Sequence, residues 1–307
     1  MAKIRTAEQL RLEEAREGKK WRRWGTYMSE RQWGTVRENY SASGDAWNYL
    51  PFDHAQPRAY RWGDDGLLGL CDNRGLMNFS IALWNGKDPI LKERLFGLSN
   101  PEGNHGEDVK EVYYYLDATP THSYARALYK YPHREFPYRE LRDRARAASK
   151  HEGEPELVDL GAFDDDAYFD VEIEYAKGSC EDVLARVTVM NRGDRARIVV
   201  LPQMWFRNTW SFGDDGPKPS AYRGGKDFVV TEQPHLGRRF FHAEGAGRIL
   251  FTENETNKKA LFGVENAQPY VKDAFHRAIV SGDASATCPR DEGTKVGAVY
   301  DLELGRG

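Results

Sequence analysis

The chain has 307 residues, enough for one large domain or two average ones. Hydrophobic residues at 40% and charged residues at 30% describe a soluble globular protein, and a net charge of −4 with no basic run beyond residues 19–23 argues against nucleic acid as a partner. Aromatics at 12%, with 29 Gly and 14 Pro, favour a turn-rich β architecture over a helix bundle.

Residues 6–23 read as a helix. Thr6 with Gln9 three positions on is a capping-box pattern, Glu, Arg, Leu and Ala follow it, and Gly18 and Gly25 weaken and stop it. Residues 24–67 have neither a helical period nor an alternation. They are dense in Trp, Tyr, Arg and carboxylates, too polar to bury without partners, so they predict an irregular segment pinned by aromatic side chains. Such a mixture suits a sugar cleft, where flat rings cover a pyranose face, and suits a protein interface equally well. Its outstanding residues are Trp33, Arg37, Asp45, Trp47, Asp53, His54, Arg58, Arg61 and Trp62.

Residues 76–84 alternate, with Met77, Phe79, Ile81 and Leu83 on one face, and predict a strand. Residues 85–111 read as loop with a short helical turn at 90–96. A second strand is expected at 111–116, and helices at 121–131 and 138–149, separated by Pro132 and Pro137. Residues 151–156 have a linker composition, and from 156 the pattern is steadily β. Residues 168–176 and 182–190 alternate cleanly. The turn Asn191-Arg192-Gly193-Asp194 predicts a hairpin with 197–206, and more strands are expected at 228–232, 239–243, 248–253 and 260–265. This divides the chain into a helix (1–23), an aromatic-rich irregular segment with first strands and two helices (24–150), and the main antiparallel strands (151–307).

Phosphate-binding, zinc-protease and serine-hydrolase motifs are absent. Cys71, Cys180 and Cys288 lie far apart with no CxxC pair, so a zinc ribbon or dithiol site is not suggested and a reducing, cytoplasmic setting is expected. There is no apolar leader and no apolar run of membrane-spanning length, so no membrane partner is expected. Carboxylates sit beside aromatics at Asp64 and Asp65, at Asp164, Asp165 and Asp166, and at Asp214 and Asp215. Glycoside hydrolysis needs two carboxylates about 5–9.5 Å apart, but Asp-rich turns also form for backbone reasons alone. The loop Asn104-His105-Gly106-Glu107-Asp108 has three readings: a tight structural loop, a contact with a ligand or another domain, or part of a metal site. A single His is a thin metal set.

Seven stretches carry a family resemblance. WGTYMSERQWGTVRENYS (24–41), DAWNYLPFDHAQPRAYRWGDDGL (45–67), WNGKDPILKERLFGLSNPEGNHGEDVKE (84–111) and YYYLDATPTHSYARALYKYP (113–132) resemble the start of a bacterial glycoside hydrolase of family 63. This is the glucosidase-like group related to mannosyl-oligosaccharide glucosidase. GAFDDDAYFDVEIEYAK (161–177), LPQMWFRNTWSFG (201–213) and DEGTKVGAVY (291–300) continue the match over almost the whole chain.

The resemblance implies a mainly β fold. It would be an antiparallel, supersandwich-like β-sandwich with a few peripheral helices, incomplete at its C-terminal end, from an enzyme whose (α/α)6 barrel hydrolyses α-glucosidic bonds with inversion. The barrel is not matched here, whether through a truncated reading frame, a split gene or a trimmed chain. No catalytic residue carries over, and neither a cofactor nor a metal is implied. The implied partners are an oligosaccharide and the C-terminal catalytic barrel. The residues expected to meet them are Trp33, Arg37, Asp45, Trp47, His54, Arg58, Trp62, Asn104, His105 and Glu107. The alternative is a free-standing carbohydrate-binding or interaction module.

Overall fold

The structure, a computed structural model, describes residues 5–27, 52–54, 56–59, 66–98, 108–149, 151–213 and 216–307. Among these the chain is mainly β, and every strand pairing is antiparallel.

A six-stranded sheet is ordered β1 (Trp24–Tyr27), β2 (Leu67–Asp72), β3 (Met77–Trp84), β10 (Ala196–Phe206), β16 (Lys295–Leu304), β14 (Arg248–Thr252). A four-stranded sheet is ordered β6 (Tyr113–Ala118), β7 (Tyr124–Pro132), β8 (Tyr168–Ser179), β9 (Asp182–Asn191). A second four-stranded sheet is ordered β13 (Gly237–His242), β12 (Phe228–Gln233), β11 (Ser220–Arg223), β15 (Glu292–Gly293). β4 (Gly97–Leu98) and β5 (Asp108–Val109) form a short pair.

The main core lies between the six-stranded sheet and the two others. Ile81, Leu83, Ile198, Val200, Met204 and Phe206 from the first meet Ala127, Tyr129, Val171, Ile173, Ala221 and Val229. This is the packing of a β-sandwich. Along β10 the alternate residues Val199 and Leu201 point the other way, onto Phe275, Ala278 and Ile279 of helix α4 (Ala274–Val280). The central strand is therefore buried on both faces, which explains its nearly continuous apolar run. The six-stranded sheet and the β6–β9 sheet each draw strands from either side of residue 150, so the first half of the chain is built into the sandwich.

β8 shows the cleanest pattern. Phe169, Val171, Ile173 and Tyr175 are buried in the core, while Asp170, itself covered, and the more open Glu172 and Glu174 lie on the opposite face and meet Lys130 and Arg192, Arg126, and Tyr124 and Arg186. Opposite charges across neighbouring strands stabilise a solvated face modestly.

Helix α1 (Ala7–Arg16) has the expected capping box, with the Thr6 side chain accepting from Gln9 N and the Gln9 side chain accepting from Thr6 N. It stops short of residue 23 because Gly18 takes a positive φ of 102°, and Trp21–Arg23 form a separate 3₁₀ turn. No residue of α1 is buried. It is tied down by polar bonds instead, since Glu8 accepts from Thr121 N, Thr121 Oγ1 and Ser123 Oγ at 2.8–2.9 Å.

Four expectations change. Residues 121–131 are not a helix but contain β7, because Ala125, Ala127, Tyr129 and Tyr131 alternate inward and both edges of the strand are paired. Residues 90–96 form no helical turn. Lys92 instead exchanges two 2.9 Å backbone bonds with Leu83 of β3. Residues 260–265 are not a strand. Asn257 caps helix α3 (Lys258–Phe262) through Ala260 N, and Gly263 ends it in the left-handed region. The turn at 191–194 does not close a hairpin, because β10 pairs with β3 and β16 in the other sheet while β9 ends its own. The strand expected at 111–116 forms two residues later, at Tyr113–Ala118. The helix expected at 138–149 is observed as α2 (Tyr138–Ala147).

The stretch 291–300 owes part of its composition to close approach. A Cβ on Gly293 would lie 2.2 Å from the carbonyl oxygen of Thr252, a backbone atom that cannot move alone. Gly293→Ala is expected to destabilise the fold by about 2 kcal/mol or more, read as a lowered urea midpoint, because it overpacks two adjoining strands. An unchanged midpoint would contradict this packing.

Candidate functional site

Of the residues expected to meet a ligand or partner, His54 and Arg58 are described. Trp33, Arg37, Asp45, Trp47, Trp62, Asn104, His105 and Glu107 lie outside the described residues, as do Asp64, Asp65, Asp214 and Asp215. His54 is half-buried, and burial together with the nearby Arg58 charge lowers its pKa. The segment around it is bonded into the fold. Phe52 stacks on Tyr138 at 5.1 Å, Asp53 pairs with Arg142 at 3.3 Å, Pro57 O accepts from Asn257 N at 2.8 Å, and Arg58 O accepts from Lys272 Nζ at 2.7 Å. Asp164, Asp165 and Asp166 are exposed, and the last two take positive φ, so this run serves a turn.

The segment after β3 carries three consecutive charged residues, Lys92, Glu93 and Arg94, all at most 3% exposed. Lys92 pairs with Glu111 at 2.6 Å and stands 3.7 Å over the Phe136 ring, and Glu93 pairs with Lys295 of β16 at 2.7 Å. Asp88 accepts from the hydroxyls of Tyr131 at 2.9 Å and Tyr138 at 3.0 Å. Burial pushes the Asp88 carboxyl up to about 6, against the pull of Lys92 and these hydrogen bonds. A carboxyl near that value suits a general acid. Asp88 is only 2% exposed, however, and sits beneath two tyrosines in the core.

A different group of residues lines a polar pocket of about 220 Å³ where β14 ends. Lys218 reaches Glu253 and Glu255, each at 3.0 Å. Thr294 Oγ1 donates to Glu253 at 2.6 Å, and Trp210 Nε1 donates to Glu255 at 2.7 Å. Gln268, Tyr270 and Cys288 complete the walls, with Arg290 and Glu292 paired at 2.7 Å at the rim. Burial alone would raise the Glu255 carboxyl. Hydrogen bonds from Lys218 and Trp210, with the Lys218 charge, outweigh it and hold the group below the usual carboxylate range. Lys218 is moved upward, since the charges of Glu253 and Glu255 overcome its desolvation.

The sequence reading missed this site. Its faint signal is the pair of carboxylates two apart, Glu253 and Glu255, directly after a strand. Two stretches that carry the family resemblance adjoin the pocket: 201–213 through Trp210, and 291–300 through Glu292, Gly293 and Thr294.

A larger groove, of about 770 Å³, opens between β9 and β13 over the inner face of β3, β10 and β16. Its lining is mostly apolar, including Phe79, Val187, Met204 and Phe241. Both flanking strands are sheet edges, and Leu184 and Phe240 beside it are each 58% exposed. Among the described residues no group of three or more His, Cys, Asp or Glu is arranged to hold a metal, and no helix is long and apolar enough to cross a membrane.

The chain is 43% identical to uncharacterized protein YMR196W of Saccharomyces cerevisiae, over 97% of this chain. It spans 31% of the length of that relative. No family model matches the chain, and no solved structure matches it.

The pH dependence of stability tests the Asp88 site. Its folded pKa, about 6, lies above the ordinary 3.8, so the protonated carboxyl stabilises the fold fully below pH 3.8. That contribution is lost as pH rises through about 6, a change of about 3 kcal/mol. Asp88→Asn is expected to remove this component. The difference in melting temperature between variant and wild type should then shift in the variant's favour from pH 4 to pH 7. Parallel profiles would contradict the assignment.

Proposed function

We propose that this chain is the N-terminal, non-catalytic sandwich region of a family 63-like α-glucosidase, buttressing a catalytic barrel and walling one side of its sugar cleft. Support comes first from four of the seven resembling stretches, which fall on elements that hold the sandwich together. The stretch 113–132 spans β6 and β7, 161–177 leads into β8, 201–213 continues β10, and 291–300 enters β16. The match to a much longer yeast protein is compatible with a region of a larger enzyme.

The observation that carries the non-catalytic part is the state of the carboxylates. Inverting glycoside hydrolysis needs one protonated acid and one basic carboxylate facing a common substrate. Among the described residues Asp88 is the one carboxyl with the raised pKa of such an acid, and it is sealed in the core, away from any open cleft.

The test is to assay the purified chain on aryl α-glucosides and α-glucosyl oligosaccharides. The expected result is no turnover above background. Robust turnover that disappears when a single Asp or Glu of this chain is substituted would sink the proposal.

A further inference from the structure

We propose that the polar pocket at the end of β14 binds a neutral, hydroxyl-rich small molecule about the size of one six-membered ring. The inference stands on the pocket's own chemistry and does not need the α-glucosidase reading.

A hydroxyl donates one hydrogen bond and accepts others, so a site for several hydroxyls needs free acceptors and donors side by side. The acceptor is a carboxylate oxygen of Glu253, which lines the pocket. Lys218 Nζ reaches Glu253 Oε2 at 3.0 Å and Thr294 Oγ1 donates to the same atom at 2.6 Å, so Oε1 of Glu253 is left without a partner. Lys218 Nζ and Trp210 Nε1 both engage Glu255 Oε1, at 3.0 and 2.7 Å, so Glu255 stands behind the wall and anchors Lys218. The donor is Gln268. It lies close enough to Glu255 to lower that carboxyl, yet its buried Nε2 makes no hydrogen bond of proper geometry. Lys218 has a third N–H beyond the two its carboxylates occupy. Tyr270 also lines the pocket, and aromatic rings suit the C–H face of a cyclic polyol.

Charge narrows the ligand class. Lys218 and Arg290 face Glu253, Glu255 and Glu292, two cations against three anions. Phosphates and carboxylates are therefore disfavoured. An amine would have to displace Lys218, which already holds both carboxylates. The pocket is also set before binding. Thr294 N donates to Thr252 O at 3.0 Å, and Asn254 N donates to Thr294 Oγ1 at 2.8 Å, so the hydroxyl that orients Glu253 is fixed by two strands. Preorganised polar groups bind with less ordering cost.

Isothermal calorimetry of the full chain with methyl α-D-glucopyranoside, myo-inositol and ethanolamine tests the proposal. Saturable binding is expected for at least one of the two polyols and none for ethanolamine. Binding of the glucoside alone identifies a pyranose site, and binding of both identifies a general ring-polyol site. Gln268→Leu and Glu253→Gln are each expected to weaken binding at least tenfold while circular dichroism stays native. If Glu253→Gln fails to fold, Gln268→Leu decides. No saturable heat with either polyol, equal binding of ethanolamine, or undiminished binding in the folded variants would overturn it. Because the readout is binding, a failure here leaves the turnover assay of the previous subsection unaffected.

Discussion

The constraint on which this structure depends is the double burial of the six-stranded sheet. Ile198, Val200, Met204 and Phe206 of β10 face the sandwich core, and Val199 and Leu201 face α4. A sheet covered on both sides must receive chain from several directions. Its neighbours accordingly come from residues 24–84 on one side of β10 and from residues 248–304 on the other. At roughly 25 cal/mol for each Å² of apolar surface buried, two such interfaces are the main favourable term available to a fold whose first helix has no fully buried residue.

The second organising feature is charge placed inside. Glu93 joins the loop after β3 to Lys295 on β16, and Lys92 joins the same loop to Glu111 beneath Phe136. A buried pair adds little net stability compared with apolar residues of the same shape, but removing one partner costs about 3–5 kcal/mol. Such pairs penalise wrong registers more than they deepen the right one. A run of three buried charges between two β elements thus fixes where residues 85–96 sit relative to the central sheet. The same loop holds Asp88 in place through Asn85, whose Oδ1 accepts from Asp88 N at 2.7 Å and whose Nδ2 donates to Pro132 O at the end of β7.

Much of this was legible in the residues. The Thr6–Gln9 box, the alternations of β3, β8 and β9, and the strands near 228, 239 and 248 are local signals that tertiary contacts reinforce. What was not legible was set by partners distant in sequence. Ala125, Ala127 and Leu128 favour a helix by propensity, and pairing with β6 and β8 overrides it. Asn191-Arg192-Gly193-Asp194 has hairpin chemistry, but which sheet receives the next strand depends on the two-faced burial of β10. The polar pocket escaped for a similar reason. Lys218, Glu253, Gln268 and Thr294 converge from four separate stretches, and none is unusual within its own. His54 and Arg58 stood out for composition, and the structure places them in a segment bonded to α2, α3 and the chain that follows α3.

Native-state hydrogen exchange tests the central claim, that one sheet buried on both faces holds the two halves of the chain together. Amides of β10 and β16 should open only with global unfolding and be the slowest in the molecule, with those of β3 close behind. Edge amides of β9 and β13 should exchange orders of magnitude faster. If β10 and β16 exchange as fast as those edges, or if strands before and after residue 150 open at clearly different free energies, the sheet is not the common core described here.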